Sequence, residues 1–209
     1  MALHTIRSLF KRPPSTGDIG RLEYYNNYRD FLQNKTSKIE AEFLGLGNHE
    51  FYETTFNLGL EKAKQLGNEP CIDDPLILLH QRRYDIPFSR VIIIGCTLWP
   101  PIPLESTDIV HYKISDFQKI RGWSVEQHNK VHESDLAWLR GEIQTLRKTS
   151  QEKRSILFWD GVNVWGFGHT HFMIEFKERG IRVVSNQRGY VLPWKTKKWD
   201  FDVRRVVWV

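Results

Sequence analysis

The chain contains little of what would mark a secreted or membrane-spanning protein. Only two of its 209 residues are cysteines, Cys71 and Cys96, which is too few for a disulfide framework or a cysteine-based metal site. The longest apolar run, VIIIGCTLW, is far shorter than the roughly 20 residues that a spanning helix needs, and the first 14 residues contain no apolar signal core. We therefore expect two free thiols in a soluble, cytoplasmic protein that does not associate with a membrane.

The charge of the chain is weakly positive and is not arranged in a long stripe. Thirty Lys and Arg residues against 25 Asp and Glu give a net charge of +5, which favours anionic partners in general. The basic residues cluster at 11–12, 195–198 and 204–205, without the aromatic side chains that interleave a nucleic-acid groove. We therefore do not expect a nucleic-acid-binding protein, and the sequence does not decide the oligomeric state.

The length and composition are those of one globular unit. Hydrophobic residues make up 40% of the chain and charged residues 26%, and 209 residues are enough to bury one core. We expect a single domain over residues 1–209, with irregular ends at 1–16 and 193–209.

Three segments have the apolar spacing of helices. The first is 20–34. The second lies in the stretch 51–67, where Phe56, Leu60, Ala63 and Leu66 share one face, and stops at Gly67, a residue type suited to a left-handed cap. The third, 124–148, is the clearest, because Ser124 and Gln127 have the spacing of a capping box. Two histidines on it, His128 and His132, are four residues apart, a spacing that can bind a metal, but we expect them to lie on the helix surface or to form interhelical hydrogen bonds.

The remaining apolar segments are predicted to be strands. LILLH (76–80) and VIIIGC (91–96) lack alternation and are typical of strands covered on both faces. EFLGLG precedes them, and SILF, VNVWGFG, HFMIEF and IRVVSN follow, with ERG (178–180) as a hairpin turn between the last two. Mixed helices and strands predict a layered α/β domain with its site at the carboxyl ends of the strands.

Polar side chains stand beside glycine in three predicted strand exits or turns. The blocks are GDIG, GNHE and GHTH, and their candidate ligands are Asp18, Asn48, His49, His169 and His171. Glycine lets the backbone turn sharply and approach a bound ion. Carboxylate, amide oxygen and imidazole together favour Zn, Mn or Fe.

The order of these blocks resembles that of the calcineurin-like metallophosphoesterase superfamily, whose blocks run DxH, GDxx, GNH[DE], a middle histidine and GHxH. The resemblance covers most of residues 17–192 and implies a β-sandwich flanked by helices that hydrolyses a phosphate ester with a metal-activated water. By that resemblance Asp18 bridges two metals, Asn48 and His169 bind one, and His171 binds the other. His49 would be the proton donor, and Asn48 and His49 would contact the substrate.

Two family blocks have no counterpart in this chain. Ala2 stands where the aspartate of the nearest DxH candidate, MALH, should be, and SILF runs into WDGVNVWGFGHTH without a middle histidine. We therefore expect an incomplete fold and a site that holds one divalent metal ion (Mn, Zn or Fe) or none. The chain would be a weak phosphatase at best; the alternative is a catalytically silent relative that acts as a binding module.

Overall fold

The helices and strands of the chain are seen in a computed structural model, which describes residues 15–16, 18–36, 42–72, 76–89, 91–149, 164–166, 174–178 and 181–185. These residues form a mixed α/β structure, which confirms the predicted fold class at that level.

The first three strands of the described structure form a parallel sheet. Its strands are β1 (Ser15–Thr16), β2 (Glu42–Gly45) and β3 (Leu76–Leu78), in the order β1-β2-β3. Strand β1 lies at the end of the stretch 1–16; residues 1–14 and the other predicted irregular end, 193–209, lie outside the described residues. Parallel neighbours require a crossover between them, and helices α1 (Tyr25–Thr36) and α2 (Phe56–Leu66) provide the two crossovers.

The predicted bounds of α1 and α2 are close to those observed. A 3-10 turn at Leu22–Tyr24 leads into α1, and Thr55 caps α2 by accepting a hydrogen bond from the Leu58 N–H. The helix ends before Gly67, as expected. The expected left-handed cap is wrong, however, because Gly67 has a φ of −67° and stays in the right-handed region.

Two further sheets complete the described strands. In the first, β4 (Arg82–Asp85) pairs antiparallel with β5 (Ile92–Gly95). In the second, β6 (Val164–Gly166), β7 (Ile174–Glu178) and β8 (Ile181–Ser185) lie in the order β6-β8-β7. The antiparallel pairing of β7 with β8 confirms the predicted hairpin. The predicted strand SILF lies outside the described residues.

Three α-helices lie between β5 and β6 in the part of the chain that the structure describes. They are α3 (Thr107–Lys113), α4 (Asp116–Lys119) and α5 (Val125–Thr149). The capping box of α5 is confirmed: the Gln127 N–H donates to Ser124 Oγ, and the Ser124 N–H donates to Gln127 Oε1. Neither α3 nor α4 was predicted.

Apolar side chains cover both sides of the strands. One cluster joins α1 and α2 to β2, β3 and the segment before α5, and includes Leu22, Leu32, Leu44, Phe51, Leu66, Trp99 and Trp123. Another joins β5 to α5 through Ile92, Ile94, Leu139 and Leu146, and Ile181 of β8 packs against it. The strands β2, β3 and β5 are therefore core strands, as their apolar runs predicted.

Both cysteines are free, as predicted: Cys71 and Cys96 are partly buried and form no disulfide. Burial raises the pKa of the Cys96 thiol to about 12, so this thiol stays protonated at neutral pH. No helix among the described residues combines the length and the apolar character needed to cross a membrane.

Candidate functional site

Asp18 and the GNHE turn meet at one edge of the parallel sheet. Asp18 follows β1 by two residues and Asn48 follows β2 by three, and parallel strands direct their carboxyl ends to the same edge. The two loops touch, because the backbone N–H of His49 donates to Asp18 Oδ1 at 3.3 Å. The structure therefore brings together three predicted site residues: Asp18, Asn48 and His49.

The close approach of the two loops requires a glycine at position 47. A Cβ atom there would lie 2.5 Å from Asp18 Oδ1 and 2.9 Å from the Asp18 backbone nitrogen. Asp18 itself has a φ of 56°, a left-handed conformation that aspartate tolerates better than most residues. The GNHE glycine thus makes room for the Asp18 carboxylate.

A buried carboxylate, that of Glu50, ties the same two loops together. Its side chain is fully buried. Among the described residues, five groups donate hydrogen bonds to its oxygens: the backbone N–H groups of Asp18, Ile19, Gly20 and Gly47, at 2.7 to 3.4 Å, and the Tyr28 hydroxyl at 3.3 Å.

The Glu50 carboxyl is under opposing electrostatic influences. Its burial and the neighbouring Asp18 carboxylate raise its pKa to about 7, while the backbone donors of Asp18, Gly47 and Ile19 favour the ionised form. This side chain holds the shape of the site and is not a ligand in it, because its oxygens already accept these backbone hydrogen bonds.

The Asn48 amide is fixed in one orientation. Its Nδ2 donates to Asp116 Oδ1 at 2.7 Å and to the Tyr52 hydroxyl oxygen at 3.1 Å. The Tyr52 hydroxyl in turn donates to Asp116 Oδ1 at 2.8 Å. The amide oxygen, Asn48 Oδ1, is buried and has no hydrogen-bond partner among the described residues. A buried acceptor left in this state costs about 1–3 kcal/mol, which is the kind of cost that a bound cation would remove.

A cavity of about 360 Å³ opens beside these residues. It is lined by Asp18, Ile19, Gly20, Arg21, His49, Tyr52, Ser115 and Lys119. Lys119 Nζ lies 5.0 Å from the centre of the Tyr52 ring. Arg21 lies on the other loop, 6.0 Å from the same ring, and pairs with Glu53 at 3.6 Å. Two cations, one carboxylate and one imidazole therefore line the cavity.

The His49 side chain is positioned by its neighbour in the turn. Its ring packs against the Tyr52 ring, with centroids 4.7 Å apart, and it is partly exposed on the cavity wall. An imidazole in that position can exchange a proton with a bound molecule.

The predicted metal ligands are only partly within the described structure. His169 and His171 lie outside the described residues, and within the described ranges no three His, Cys, Asp or Glu side chains form a group able to hold a metal ion. Asp18 and Asn48 supply a carboxylate and a buried amide oxygen without a partner, which are oxygen donors that suit a divalent cation. The residues present therefore fit such an ion.

The paired histidines of α5 serve the fold. His128 is buried, not on the helix surface, and its Nε2 bonds the Pro100 carbonyl at 2.8 Å. His132 Nδ1 bonds the carbonyl of Trp99. Both histidines thus form hydrogen bonds, but their partners are backbone carbonyls of a non-helical segment and not another helix.

Several residues of the site were not predicted, among them Tyr52, Asp116 and Lys119. Tyr52 stands two residues after GNHE, and this short separation is the local signal that links it to the turn. Asp116 and Lys119 belong to α4, which has only four residues, and no local pattern links that segment to Asn48, 68 residues earlier.

Comparison with known proteins adds one relative. A protein of Acanthamoeba polyphaga mimivirus, described as uncharacterized protein L509, is 22% identical, and the similarity covers 87% of this chain and 81% of that protein. No protein-family model matches the chain, and no solved structure does. The similarity to the viral protein therefore extends over most of both chains.

Proposed function

We propose that this protein is a metal-dependent phosphoesterase of the calcineurin-like type, which hydrolyses a phosphate ester with an activated water and uses one divalent ion. Its fold would be a version of the layered β-sandwich of that superfamily. The observation that carries the proposal is the convergence of GDIG and GNHE at the carboxyl edge of β1 and β2, where His49 N–H contacts the Asp18 carboxylate.

Asp18 and Asn48 would hold the ion, together with His169. An aspartate that follows one strand and an amide oxygen that follows the next provide a charge and an oriented dipole at the same edge of the sheet. When bound, a divalent cation lowers the pKa of a water molecule and neutralises charge on a phosphate.

The remaining side chains of the cavity suit an anionic substrate. Arg21 and Lys119 both lie near the Tyr52 ring and supply positive charge to the cavity wall, which would attract and orient a phosphate group. His49 lies on the same cavity wall and would donate a proton to the leaving oxygen of the ester. Binding, charge neutralisation and proton transfer thus fall to neighbouring side chains.

Hydrolysis of p-nitrophenyl phosphate by the purified full chain tests this proposal. The assay is run with Mn²⁺, Zn²⁺, Fe²⁺ and Mg²⁺ on the wild type, His49→Ala and His111→Ala, since His111 is an exposed histidine on α3. We expect metal-dependent turnover that falls about 100-fold or more in His49→Ala, because a general acid contributes about that much, and that is unchanged in His111→Ala.

Two other outcomes would count against the proposal. Equal activity of the wild type and His49→Ala would show that His49 takes no part in the reaction. Binding of phosphate or vanadate without any hydrolysis would favour the alternative, a catalytically silent relative that binds an anionic ligand.

A further inference from the structure

Asp116 lies beside the proposed metal site but is too far along the chain to belong to either of its motifs. It is the first residue of α4, it is buried, and its nearest partners are Asn48 and Tyr52. A buried carboxylate is costly unless it is well paired, so its place beside an amide calls for an explanation.

The contact between α4 and the GNHE turn is built from backbone as well as side chains. The Glu53 N–H donates to the Lys119 carbonyl at 2.8 Å, and the Arg121 N–H donates to the Thr54 carbonyl at 2.9 Å. These two hydrogen bonds bracket the end of α4 and fix it against residues 53–54. The fold therefore fixes Asp116 next to Asn48.

The hydrogen bonds of this group have fixed directions. A carboxylate only accepts, so the Asn48 group that faces Asp116 at 2.7 Å must be the NH₂. The Tyr52 hydroxyl gives its single proton to Asp116, which leaves its oxygen to accept the second Asn48 N–H. Both N–H groups are then used, and Oδ1 is the one polar atom of the side chain without a partner among the described residues.

We propose that Asp116 is a positioning residue for the metal site: together with Tyr52 it holds the Asn48 amide so that its oxygen, and not its nitrogen, is presented to the cation. The inference rests on the proposed function. Groups that orient a metal ligand in this way commonly change metal affinity by about 10- to 100-fold when they are replaced.

Replacement of Asp116 by asparagine would remove this control. An amide at position 116 can accept or donate, so the Asn48 side chain could rotate and present its NH₂ to the cation instead. The substitution also removes a negative charge near the ion, which would weaken metal binding without any rotation. A test must separate these two effects.

A double-mutant cycle on metal affinity separates them. Calorimetric titration with Mn²⁺ and with Zn²⁺ is applied to the full-length wild type, Asp116→Asn, Asn48→Ala and the double variant. Asp108→Asn, at an exposed position on α3, is the matched control. We expect Asp116→Asn to weaken binding about tenfold or more when Asn48 is present and less than about twofold in the Asn48→Ala background.

The outcomes distinguish this inference from the proposed function. An equal loss of affinity in both backgrounds, or no loss in Asp116→Asn, would overturn the inference while leaving metal binding intact. A wild type that binds neither ion would overturn both. If Asp116→Asn does not fold, Tyr52→Phe takes its place in the cycle. We then expect a smaller loss of metal affinity, which occurs only when Asn48 is present. A loss of affinity that persists in the Asn48→Ala background would contradict the proposal.

Discussion

At the scale of single residues, the geometry of the site depends on the Glu50 carboxylate. It accepts hydrogen bonds from the backbone of both loops that carry the proposed ligands. In Glu50→Gln the side-chain NH₂ group would face backbone N–H groups. Both are hydrogen-bond donors, so no hydrogen bond can form between them. We predict that Glu50→Gln lowers the free energy of unfolding by about 2–4 kcal/mol.

Urea unfolding followed by circular dichroism measures this change, with Glu61→Gln as the matched control at an exposed position of α2. The control should stay within about 0.5 kcal/mol of the wild type. Equal stabilities of Glu50→Gln and Glu61→Gln would show that the backbone hydrogen bonds to Glu50 contribute nothing to the fold.

At the scale of elements, the loops after β1 and β2 fit together only because position 47 has no side chain. A methyl group there would overlap the Asp18 loop, and overpacking of this kind costs about 1–3 kcal/mol. At Gly141, on α5, an added methyl group would meet only open space. We predict that Gly47→Ala is destabilised by that amount, whereas Gly141→Ala gains about 0.5–1 kcal/mol from its helical conformation.

Thermal unfolding of the two variants checks the prediction, because the same chemical change is made at both sites. A Gly47→Ala variant as stable as the wild type would mean that the loops separate at no cost. The contact between Asp18 and the GNHE turn would then be looser than the structure indicates.

The packing of α5 against residues 99–100 should make stability depend on pH. Burial lowers the pKa of His128 below its ordinary value of 6.5, although the Pro100 carbonyl and Asp116 oppose the shift. The unfolded chain therefore binds a proton at a higher pH than the folded chain does. The contribution of His128 to stability must therefore fall as the pH drops below about 6.5, whereas the raised pKa of Glu50 acts in the opposite direction.

The contribution of His128 can be isolated by substitution. The free energy of unfolding is measured in urea at pH 7.5 and pH 5.5 for the wild type, His128→Gln and His111→Gln. We predict that the difference in stability between pH 5.5 and pH 7.5 is less favourable to the fold at pH 5.5 in the wild type than in His128→Gln, because only the wild type must neutralise His128 on folding. His111→Gln should show the same difference as the wild type. An identical difference in all three proteins would show that His128 does not contribute.

At the scale of the whole molecule, the elements with a strong local pattern were predictable. The capping box and apolar stripe of α5, and the apolar runs of β2, β3 and β5, gave elements close to those observed. Strand β4 was missed because RRYD is polar and mostly outside the core. Helix α3 was missed because it has no apolar stripe that faces the core. Its large apolar side chains Ile109 and Tyr112 are 60% and 78% exposed.

Only the part of the candidate site that is formed by short sequence motifs was predictable. Glycine-flanked polar blocks after strands placed Asp18, Asn48 and His49 together, and the parallel pairing of β1 with β2 explains why. Asp116 could not be predicted, since its role depends on a contact between segments 68 residues apart. The predictions for His169 and His171 stay predictions.

The central claim is that Asp18 anchors a divalent ion at this sheet edge. The most direct test is calorimetric titration of the metal-free full chain with Mn²⁺, comparing the wild type with Asp18→Asn and, as a matched control for charge, Asp108→Asn. We predict one bound equivalent for the wild type and for Asp108→Asn, and no measurable binding by Asp18→Asn, because an amide lacks the charge that offsets the dehydration of the cation. Binding of equal strength by the wild type and Asp18→Asn, or none by either, would contradict the account.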